Sequence, residues 1–408
     1  MTMKILVIGD IANTRYLMKK FSMNVDIDII DFPKKGVDII KDAKEGITFF
    51  DSLLISKQVE QIKQIKDNYD LVIALPWTGA RVAYLADIKY VLYFVGNDIT
   101  TPPFEQSNKN YNFFEKKFYK KVLDNAILCI APTIDLFEPL KKYRKDAIRL
   151  DRIYVDTEIF NENIKPNKFQ KDKFTFLSAQ RFSVEKGIDK IWEAIKLCET
   201  DFEVLQVKWF IEDTTVEEFE KLGPINKRLV DEKPENVRFI KLMNRVDLAK
   251  YFASVDAIIG QMKTGSLSGL EREAASCKKP VICYIDPKKT ISLDGEEIIP
   301  PFLPNCNEPK RIAKIIDKIV QSKEFREELT EKEFLFIKKL CDPQLVAKDW
   351  EKILVYAHEK SKEQKNKSSF DKILIKIILA IEKLYIKKFR EKNIKTWGRV
   401  EFERLTKS

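Results

Sequence analysis

Histidine is almost absent from this sequence, which has a single one, His358. Six cysteines are present, but no two of them form a C-x-x-C pair: Cys129, Cys198, Cys277, Cys283, Cys306 and Cys341. Zinc sites of the usual kind are built from closely spaced cysteine and histidine ligands, so we expect no zinc site. Unbridged thiols are typical of a reducing compartment.

Long apolar runs are missing too. No stretch of about twenty uncharged apolar residues occurs, so the sequence predicts no transmembrane helix. The apolar segment at residues 4–9 is too short for a secretory signal, and Asp10 follows it at once. With 44% hydrophobic and 33% charged residues, the composition favours a globular, cytoplasmic protein.

An excess of basic residues is confined to the C terminus. The formal net charge is +10, and residues 361–408 contain fourteen Lys or Arg against six Asp or Glu. The remaining chain is therefore close to neutral. A basic protein often binds nucleic acid, but charge that is restricted to a tail favours another partner, and we expect no nucleic acid.

Strand-like runs of β-branched residues alternate with amphipathic helical stretches along most of the chain. The alternation restarts after an extended segment at residues 148–167. This pattern predicts an α/β fold with two doubly wound, Rossmann-like domains, at residues 1–165 and 166–341, and ligand sites outside the carboxyl ends of the strands. A helix at 342–360 and a basic helical tail at 361–408 follow.

The stretch QRFSVEKG, residues 180–187, places two cations between a strand and a helix. Arg181 offers a planar fork for two oxygen atoms, and Lys186 offers a mobile point charge, which together suit a diphosphate. The stretch lacks the glycine spacing of a P-loop. The alternative is a solvated pair in an ordinary strand-to-helix loop.

A second stretch, residues 257–285, has a Gly/Ser loop between a strand and a helix. Gly265 and Ser266 allow close approach of the backbone, and the free N–H groups of a helix start bind anions. Glu273 is about one and a half turns into that helix, where a carboxylate suits the two hydroxyls of a ribose. The alternative is that Glu271, Arg272 and Glu273 form a solvated helix face.

These motifs resemble the C-terminal domain of the family 4 glycosyltransferases, which have the GT-B fold. The likeness is in RFSVEKG and, at the right distance, YFASVDAIIGQMKTGSLSGLEREAASCKKPVI. Two further segments are similar to family motifs, YFVGNDIT (93–100) and YVDTEIF (154–160). The resemblance covers about residues 1–360. It implies a retaining hexosyltransferase that takes its sugar from a nucleoside diphosphate donor.

The resemblance also implies roles for single residues. Arg181 and Lys186 would hold the donor diphosphate, and Glu273 would bind the ribose. Gly265, Ser266 and Leu267 would face the transferred sugar. No metal would be needed, because Arg181, Lys186 and the helix N-terminus would neutralise the charge that grows on the leaving diphosphate. The leaving phosphate is thought to act as the base in this family. The helix at 342–360 would return to the N-terminal domain.

The sequence departs from the family pattern at three places. Gly265 stands where the family often has a glutamate that contacts the donor sugar. Val95 replaces a histidine, which leaves Asp98 as the ionisable group for an acceptor hydroxyl, or alternatively as a turn or cap residue. The N-terminal glycine-rich loop is reduced to GDIANT, with Gly9 and Asn13 on the substrate side. A non-catalytic nucleotide-sugar-binding or scaffold protein is therefore the alternative function.

The segment FDKILIKIILAIEKLYIKKFR, residues 370–390, is amphipathic and basic. Four of its lysines lie near one helical face: Lys372, Lys376, Lys383 and Lys387. This pattern is typical of a helix that lies on an anionic membrane surface. We therefore expect a peripheral protein on the inner membrane face with a glycan or lipid-linked acceptor. The alternative is that the apolar face packs on a domain or on a second subunit.

Overall fold

A computed structural model of the chain describes residues 2–10, 14–32, 46–52, 54–96, 98–167, 171–210, 224–303, 306–364 and 367–389, with backbone alone at 370 and 381–389. The chain divides into two compact units. The first unit contains the N-terminal part as far as Arg152 and the C-terminal part from Gln344, and the second contains Ile153–Pro343. The predicted boundaries at 165 and 341 stay predictions.

The first unit is built on a seven-stranded parallel sheet in the order β3-β2-β1-β4-β5-β6-β7. Its strands are β1 Met3–Ile8, β2 Val25–Asp31, β3 Ile47–Phe49, β4 Leu71–Ala74, β5 Val91–Tyr93, β6 Leu128–Ala131 and β7 Ile148–Arg149. Its first helices are α1 Thr14–Phe21, α2 Ile55–Ile65, α3 Thr78–Leu85, α4 Phe113–Asp124 and α5 Ile134–Lys141. Every residue of β4, β5 and β6 is buried, as expected for strands covered on both faces.

The second unit has a five-stranded parallel sheet in the order β10-β9-β8-β11-β12. Its strands are β8 Phe174–Ser178, β9 Phe202–Val207, β10 Val237–Ile240, β11 Ala257–Ile259 and β12 Val281–Ile282, and an antiparallel hairpin follows, β13 Ile291–Leu293 with β14 Glu296–Ile298. Its helices are α6 Ile188–Ile195, α7 Pro224–Asp231, α8 Arg245–Ser254, α9 Gly269–Ser276, α10 Pro309–Gln321 and α11 Lys323–Leu340. The strand order reverses between β8 and β11, which is where such sheets bind ligands. The prediction of two doubly wound domains is confirmed.

Two C-terminal helices, α12 Pro343–Glu363 and α13 Ser369–Phe389, complete the first unit. On α12, Asp349 accepts a hydrogen bond from Arg152 at 2.9 Å, and Trp350 meets the Tyr93 ring edge-on at 4.9 Å between centroids. These contacts explain why the buried face of α12 lies on the first sheet.

The helix α13 contains nearly all of the tail segment predicted at residues 370–390. Ile375 is buried in the core of the first unit, and Ile378 and Leu379 pack against that core. Asp371 forms an ion pair with Lys121 of α4. The packing alternative therefore describes this side of the helix. On the other side, the side chain of Ile373 is 55% exposed.

Candidate functional site

Arg181 and Lys186 lie on the loop that joins β8 to α6. Phe182 is fully buried and fixes the start of this loop, and its N–H donates to the Trp209 carbonyl at 2.8 Å. Arg181 Nη2 lies 3.3 Å from Glu185 Oε2, and these side chains are 36% and 69% exposed. An exposed pair of this kind contributes at most about 1 kcal/mol, so a bound anion can displace it.

Gly187 lies where this loop packs closely on the loop that follows β11. Its φ of +84° is left-handed, and a Cβ at this position would stand 2.9 Å from Met262 Cβ, which is too close for any other residue. The Met262 N–H donates to the Lys186 carbonyl at 2.9 Å. The backbone that carries both cations is thus fixed to the Gly/Ser loop.

Gln261 organises the Gly/Ser loop and is fully buried. Its Oε1 accepts hydrogen bonds from the backbone N–H groups of Lys263 at 3.0 Å and Thr264 at 2.7 Å, and more weakly from that of Gly265 at 3.4 Å. Its Nε2 donates to the Ser266 carbonyl at 3.1 Å. The amide of Gly265 is therefore turned towards Gln261, which sequence reasoning missed because glutamine carries no local signal for this role.

Glu271 fixes the other end of the loop. Its Oε1 accepts from the Gln261 N–H at 2.9 Å, and its Oε2 accepts from the Ser268 N–H at 2.8 Å, as part of the capping box of α9. Glu271, Arg272 and Glu273 are all buried, so the alternative of a solvated helix face is wrong. Gly269, by contrast, is exposed at the first turn of α9.

Glu273 lies beside that exposed turn and is paired with Arg245. Arg245 Nη2 donates to Glu273 Oε1 at 2.7 Å, and the same oxygen is 3.7 Å from where a Cβ on Gly269 would stand. Burial raises the pKa of Glu273, and the charge of Arg245 opposes that rise. Arg245 also lies over the Phe160 ring, with Cζ 4.9 Å from the centroid. This partner comes from the first turn of α8, and no local pattern in the sequence predicts it.

The other residues predicted to face the sugar differ in accessibility. Gly265 is buried with a φ of +73°, and Ser266 is half-buried. The Leu267 side chain is buried in a hydrophobic core of the second unit, so only its backbone is left for a ligand. The substrate-binding roles of these three residues stay predictions.

In the first unit, Asp98 follows β5 at the carboxyl end of the sheet. Its carbonyl accepts a hydrogen bond from Trp77 Nε1 at 3.0 Å, and its carboxylate Oδ2 is buried without a partner. Burial raises the pKa of Asp98, while a hydrogen bond to the Val95 backbone and the charge of Arg15 lower it. The structure therefore leaves a carboxylate oxygen of Asp98 unused, and its contact with an acceptor hydroxyl stays a prediction.

Gly9 follows β1 at the same sheet edge. Its N–H donates to the Ile30 carbonyl at 2.8 Å, and a Cβ on Gly9, at a φ of +85°, would stand 3.0 Å from Leu75 Cβ. The backbone here thus requires glycine for packing, and a substrate contact stays a prediction. Asn13 lies outside the described residues.

Arg15, which sequence reasoning missed, lies wholly buried near Gly9 and Asp98. Its Nη2 donates to the Tyr93 carbonyl at 2.8 Å, and its own N–H donates to Asp10 Oδ1 at 3.0 Å. Burial lowers the pKa of Arg15, and the charges of Asp10 and Asp98 oppose this. A buried cation thus sits among carboxylates at this sheet edge.

Within the described ranges, no group of three His, Cys, Asp or Glu side chains is placed to hold a metal ion. Among the helices that the structure describes, none has the length and low charge needed to cross a membrane.

A protein-family model matches a segment of the second unit. Residues 159–334 match the family model described as glycosyl transferases group 1, a little under half of the chain. The matched segment lies within the second unit. The segment includes Arg181, Lys186, Gly265 and Glu273. No curated protein matches the sequence.

Several solved structures are similar to most of the chain. HepE from Anabaena, in complex with UDP and glucose, is 14% identical with a TM-score of 0.62, over 87% of this chain and 100% of that chain. A glycosyltransferase from Rickettsia africae is 17% identical with a TM-score of 0.62, over 89% and 100%. Sucrose-phosphate synthase from Thermosynechococcus elongatus is 14% identical with a TM-score of 0.61, over 87% and 98%. The structural similarity, measured by these TM-scores, establishes that the fold is GT-B.

Proposed function

We propose that this protein is a retaining, metal-independent hexosyltransferase that moves a sugar from a nucleoside diphosphate to a glycan or lipid-linked acceptor. The proposal rests above all on the Arg181–Lys186 loop, which is held against the Gly/Ser loop within the segment that matches group 1 glycosyl transferases. Negative charge grows on the diphosphate as the sugar–oxygen bond breaks. A guanidinium and an ammonium fixed near that charge stabilise the transition state more than the ground state.

The nucleoside end of the donor is assigned to Glu273. Arg245 binds one carboxylate oxygen and holds the group beside exposed Gly269. The second oxygen then accepts hydrogen bonds from the ribose. The acceptor hydroxyl is assigned to Asp98 of the first unit, and further acceptor contacts are assigned to Gly9 and Asn13.

A donor screen tests the proposal. Because HepE is seen with UDP and with UDP-glucose, UDP-glucose is the first probe, followed by GDP- and ADP-glucose. A donor at about 100 times its dissociation constant adds about 2.7 kcal/mol to the free energy of unfolding. Proton NMR of the product then reports the anomeric configuration, which we expect to match that of the donor. We also expect EDTA to leave turnover unchanged. Absence of stabilisation by all three donors would contradict the proposal.

A non-catalytic nucleotide-sugar-binding protein is the second candidate. It is favoured by Gly265, which stands where the family often has a sugar-contacting glutamate, and whose N–H points to Gln261 at 3.4 Å. Donor hydrolysis and transfer by the purified protein distinguish the two. Donor binding with neither reaction, in the presence of a panel of sugar and lipid acceptors, would establish the binding protein.

Contact with an anionic membrane surface is the proposed role of the outer side of α13. Lys372 and Lys376 are exposed there together with Ile373 and Ile377, whereas Ile375 packs inwards. Since each lysine near such a surface contributes about 1 kcal/mol, reversing the charge of Lys372 and Lys376 should weaken binding to vesicles that contain phosphatidylserine by at least about 30-fold.

The control reverses two exposed lysines of the second unit, Lys196→Glu and Lys314→Glu, and keeps the same net charge change. Both double variants should fold normally, because the inward side of α13 is untouched. Equal vesicle binding by the two variants would remove α13 from the membrane contact.

A further inference from the structure

A pair of polar side chains takes the space beside Gly265 that a larger residue would need. A Cβ built on Gly265 would stand 2.8 Å from Asp286 Cβ and 2.9 Å from Tyr284 Cε1. Real Cβ atoms do not approach other atoms so closely, and the φ of +73° also disfavours a side chain. Tyr284 and Asp286 therefore occupy the side of the Gly/Ser loop where a side chain from residue 265 would otherwise lie.

Backbone hydrogen bonds hold both residues against that loop. The Asp286 N–H donates to the Gly265 carbonyl at 3.0 Å, and the Tyr284 N–H donates to the Gln261 carbonyl at 2.9 Å. Gln261 Nε2 returns a bond to the Tyr284 carbonyl at 2.8 Å. On the far side, Lys289 Nζ donates to the Thr264 carbonyl at 2.5 Å. The backbone that carries the phenol and the carboxylate is thus fixed to the Gly/Ser loop.

The two side chains also keep their polar groups accessible. Both residues are half-buried, and Asp286 Oδ1 accepts one internal bond, from the Lys288 N–H at 3.0 Å. Burial, and then the neighbouring charge of Asp286, raise the pKa of Tyr284, so its hydroxyl stays protonated at neutral pH. The pair therefore offers carboxylate acceptors next to a neutral hydroxyl that both donates and accepts.

Tyr284 and Asp286 lie at the same edge of the sheet as the two cations, Arg181 and Lys186. Strand β12, which precedes Tyr284, lies next to β11, and β11 lies next to β8, which precedes Arg181. The loop that touches Asp286 through Gly265 bonds to the Lys186 carbonyl through Met262. Consecutive loops at one sheet edge thus carry, in order, two cations, the Gly/Ser loop, and a phenol with a carboxylate.

We infer that Tyr284 and Asp286 form a hydroxyl-binding subsite for the sugar of the donor, and that they supply the polar contact that Gly265 does not. The inference rests on the proposed function. A carboxylate accepts hydrogen bonds from adjacent hydroxyls of a neutral hexose, and it repels a sugar that itself carries a carboxylate. The subsite therefore selects neutral hexoses over uronic acids.

Calorimetric titration of a nucleoside diphosphate and its sugar conjugate separates this subsite from the phosphate site. The probes are UDP with UDP-glucose, then the GDP and ADP pairs, and the pair that binds the wild-type protein is kept. Asp286→Asn should weaken binding of the glucose conjugate by about 10- to 100-fold, and Tyr284→Phe by about 3- to 10-fold. Affinity for the free nucleotide should stay within about twofold, which also shows that the variants fold.

Two further arms sharpen the test. Asp201→Asn changes an exposed carboxylate at the amino end of β9, paired with Lys173, and should alter neither affinity. Asp286→Asn should also reduce the preference for UDP-glucose over UDP-glucuronate, or for the matching pair of the bound nucleotide. Unchanged glucose-conjugate affinity in both subsite variants, or an equal loss for free nucleotide and conjugate, overturns the inference alone. Failure of every nucleotide to bind the wild-type protein overturns the proposed function as well.

Discussion

The carboxyl ends of the two sheets use an arginine in opposite ways. In the second unit, Arg181 is partly exposed and its partner Glu185 is more exposed still. In the first unit, Arg15 is wholly buried and bonds to a backbone carbonyl, among the charges of Asp10, Asp31 and Asp98. An exposed, weakly held cation is available to a ligand, whereas a buried one balances internal charge. The carboxyl edge of the sheet thus leaves an arginine accessible in one unit and buries one in the other.

Removing the buried cation should have the largest effect on stability. Arg15→Met leaves the nearby carboxyl groups of Asp10 and Asp98 without the positive charge that offsets them, and leaving buried charge uncompensated costs about 3–5 kcal/mol of unfolding free energy. Urea denaturation measures it, and exposed Lys142→Met is the control, expected within about 0.5 kcal/mol of the wild-type protein. A loss below about 1 kcal/mol for Arg15→Met would mean that the internal charge balance does not need it.

A carboxyl group that is fully buried in the second unit, that of Glu333, provides a contrast to Arg15. Glu333 is fully buried and accepts from the Val281 N–H at 2.9 Å, and burial raises its pKa well above the usual 4.5. The unfolded chain releases this proton near pH 4.5, while the folded chain keeps it. Stability should therefore fall as pH rises above that value, by about 1.4 kcal/mol per pH unit from this group, until pH reaches the raised pKa.

Glu333→Gln removes the titratable proton of the side chain. It keeps a side-chain oxygen that accepts the hydrogen bond from the Val281 N–H. The variant should gain stability over the wild-type protein as pH rises from 4.5 to 8, with little difference at pH 4. Urea midpoints across this range measure the gain. Parallel curves for the two proteins would show that Glu333 is ionised in the folded state.

A smaller effect is expected at Glu273. Glu273→Ala should weaken binding of the nucleoside diphosphate by about 10-fold and change the turnover of bound donor less, because a ribose contact is made equally in ground and transition states. Arg245→Met, which removes the partner but keeps the carboxylate, should weaken binding less. Equal affinities of wild-type protein and Glu273→Ala would exclude Glu273 from the site.

The alternation of strands and helices predicted both sheets, because residues buried on both faces give continuous apolar runs such as those of β4 and β6. The short strands β3 and β7 carry no such signal. Arg181 and Lys186 were recognisable because the motif is local in the sequence. The position of α13 was not, since one amphipathic pattern serves equally for a membrane and for packing, and the structure shows Ile375 turned inwards.

Contacts between distant residues explain the rest of what the sequence left open. Arg245 and Glu273 are 28 positions apart, and Gly265 is crowded by Tyr284 and Asp286 from the segment that follows β12. Arg15 carried no sign of burial, because it lies on a short helix with lysines at its end. Such pairings depend on which loops meet at a sheet edge, which periodicity alone does not determine.

The proposed function requires that Arg181 and Lys186 serve the leaving diphosphate and not the fold. Single-turnover transfer rates with the donor that stabilises the protein test it most directly, in Arg181→Ala, Lys186→Ala and the exposed control Lys196→Ala. We predict a loss of about 10²–10³-fold for each of the first two, equivalent to about 2.7–4 kcal/mol of transition-state stabilisation, with an unchanged melting temperature and a normal rate for the control. Near-normal rates in both site variants would contradict this requirement. They would show that the loop between β8 and α6 is an ordinary solvated turn.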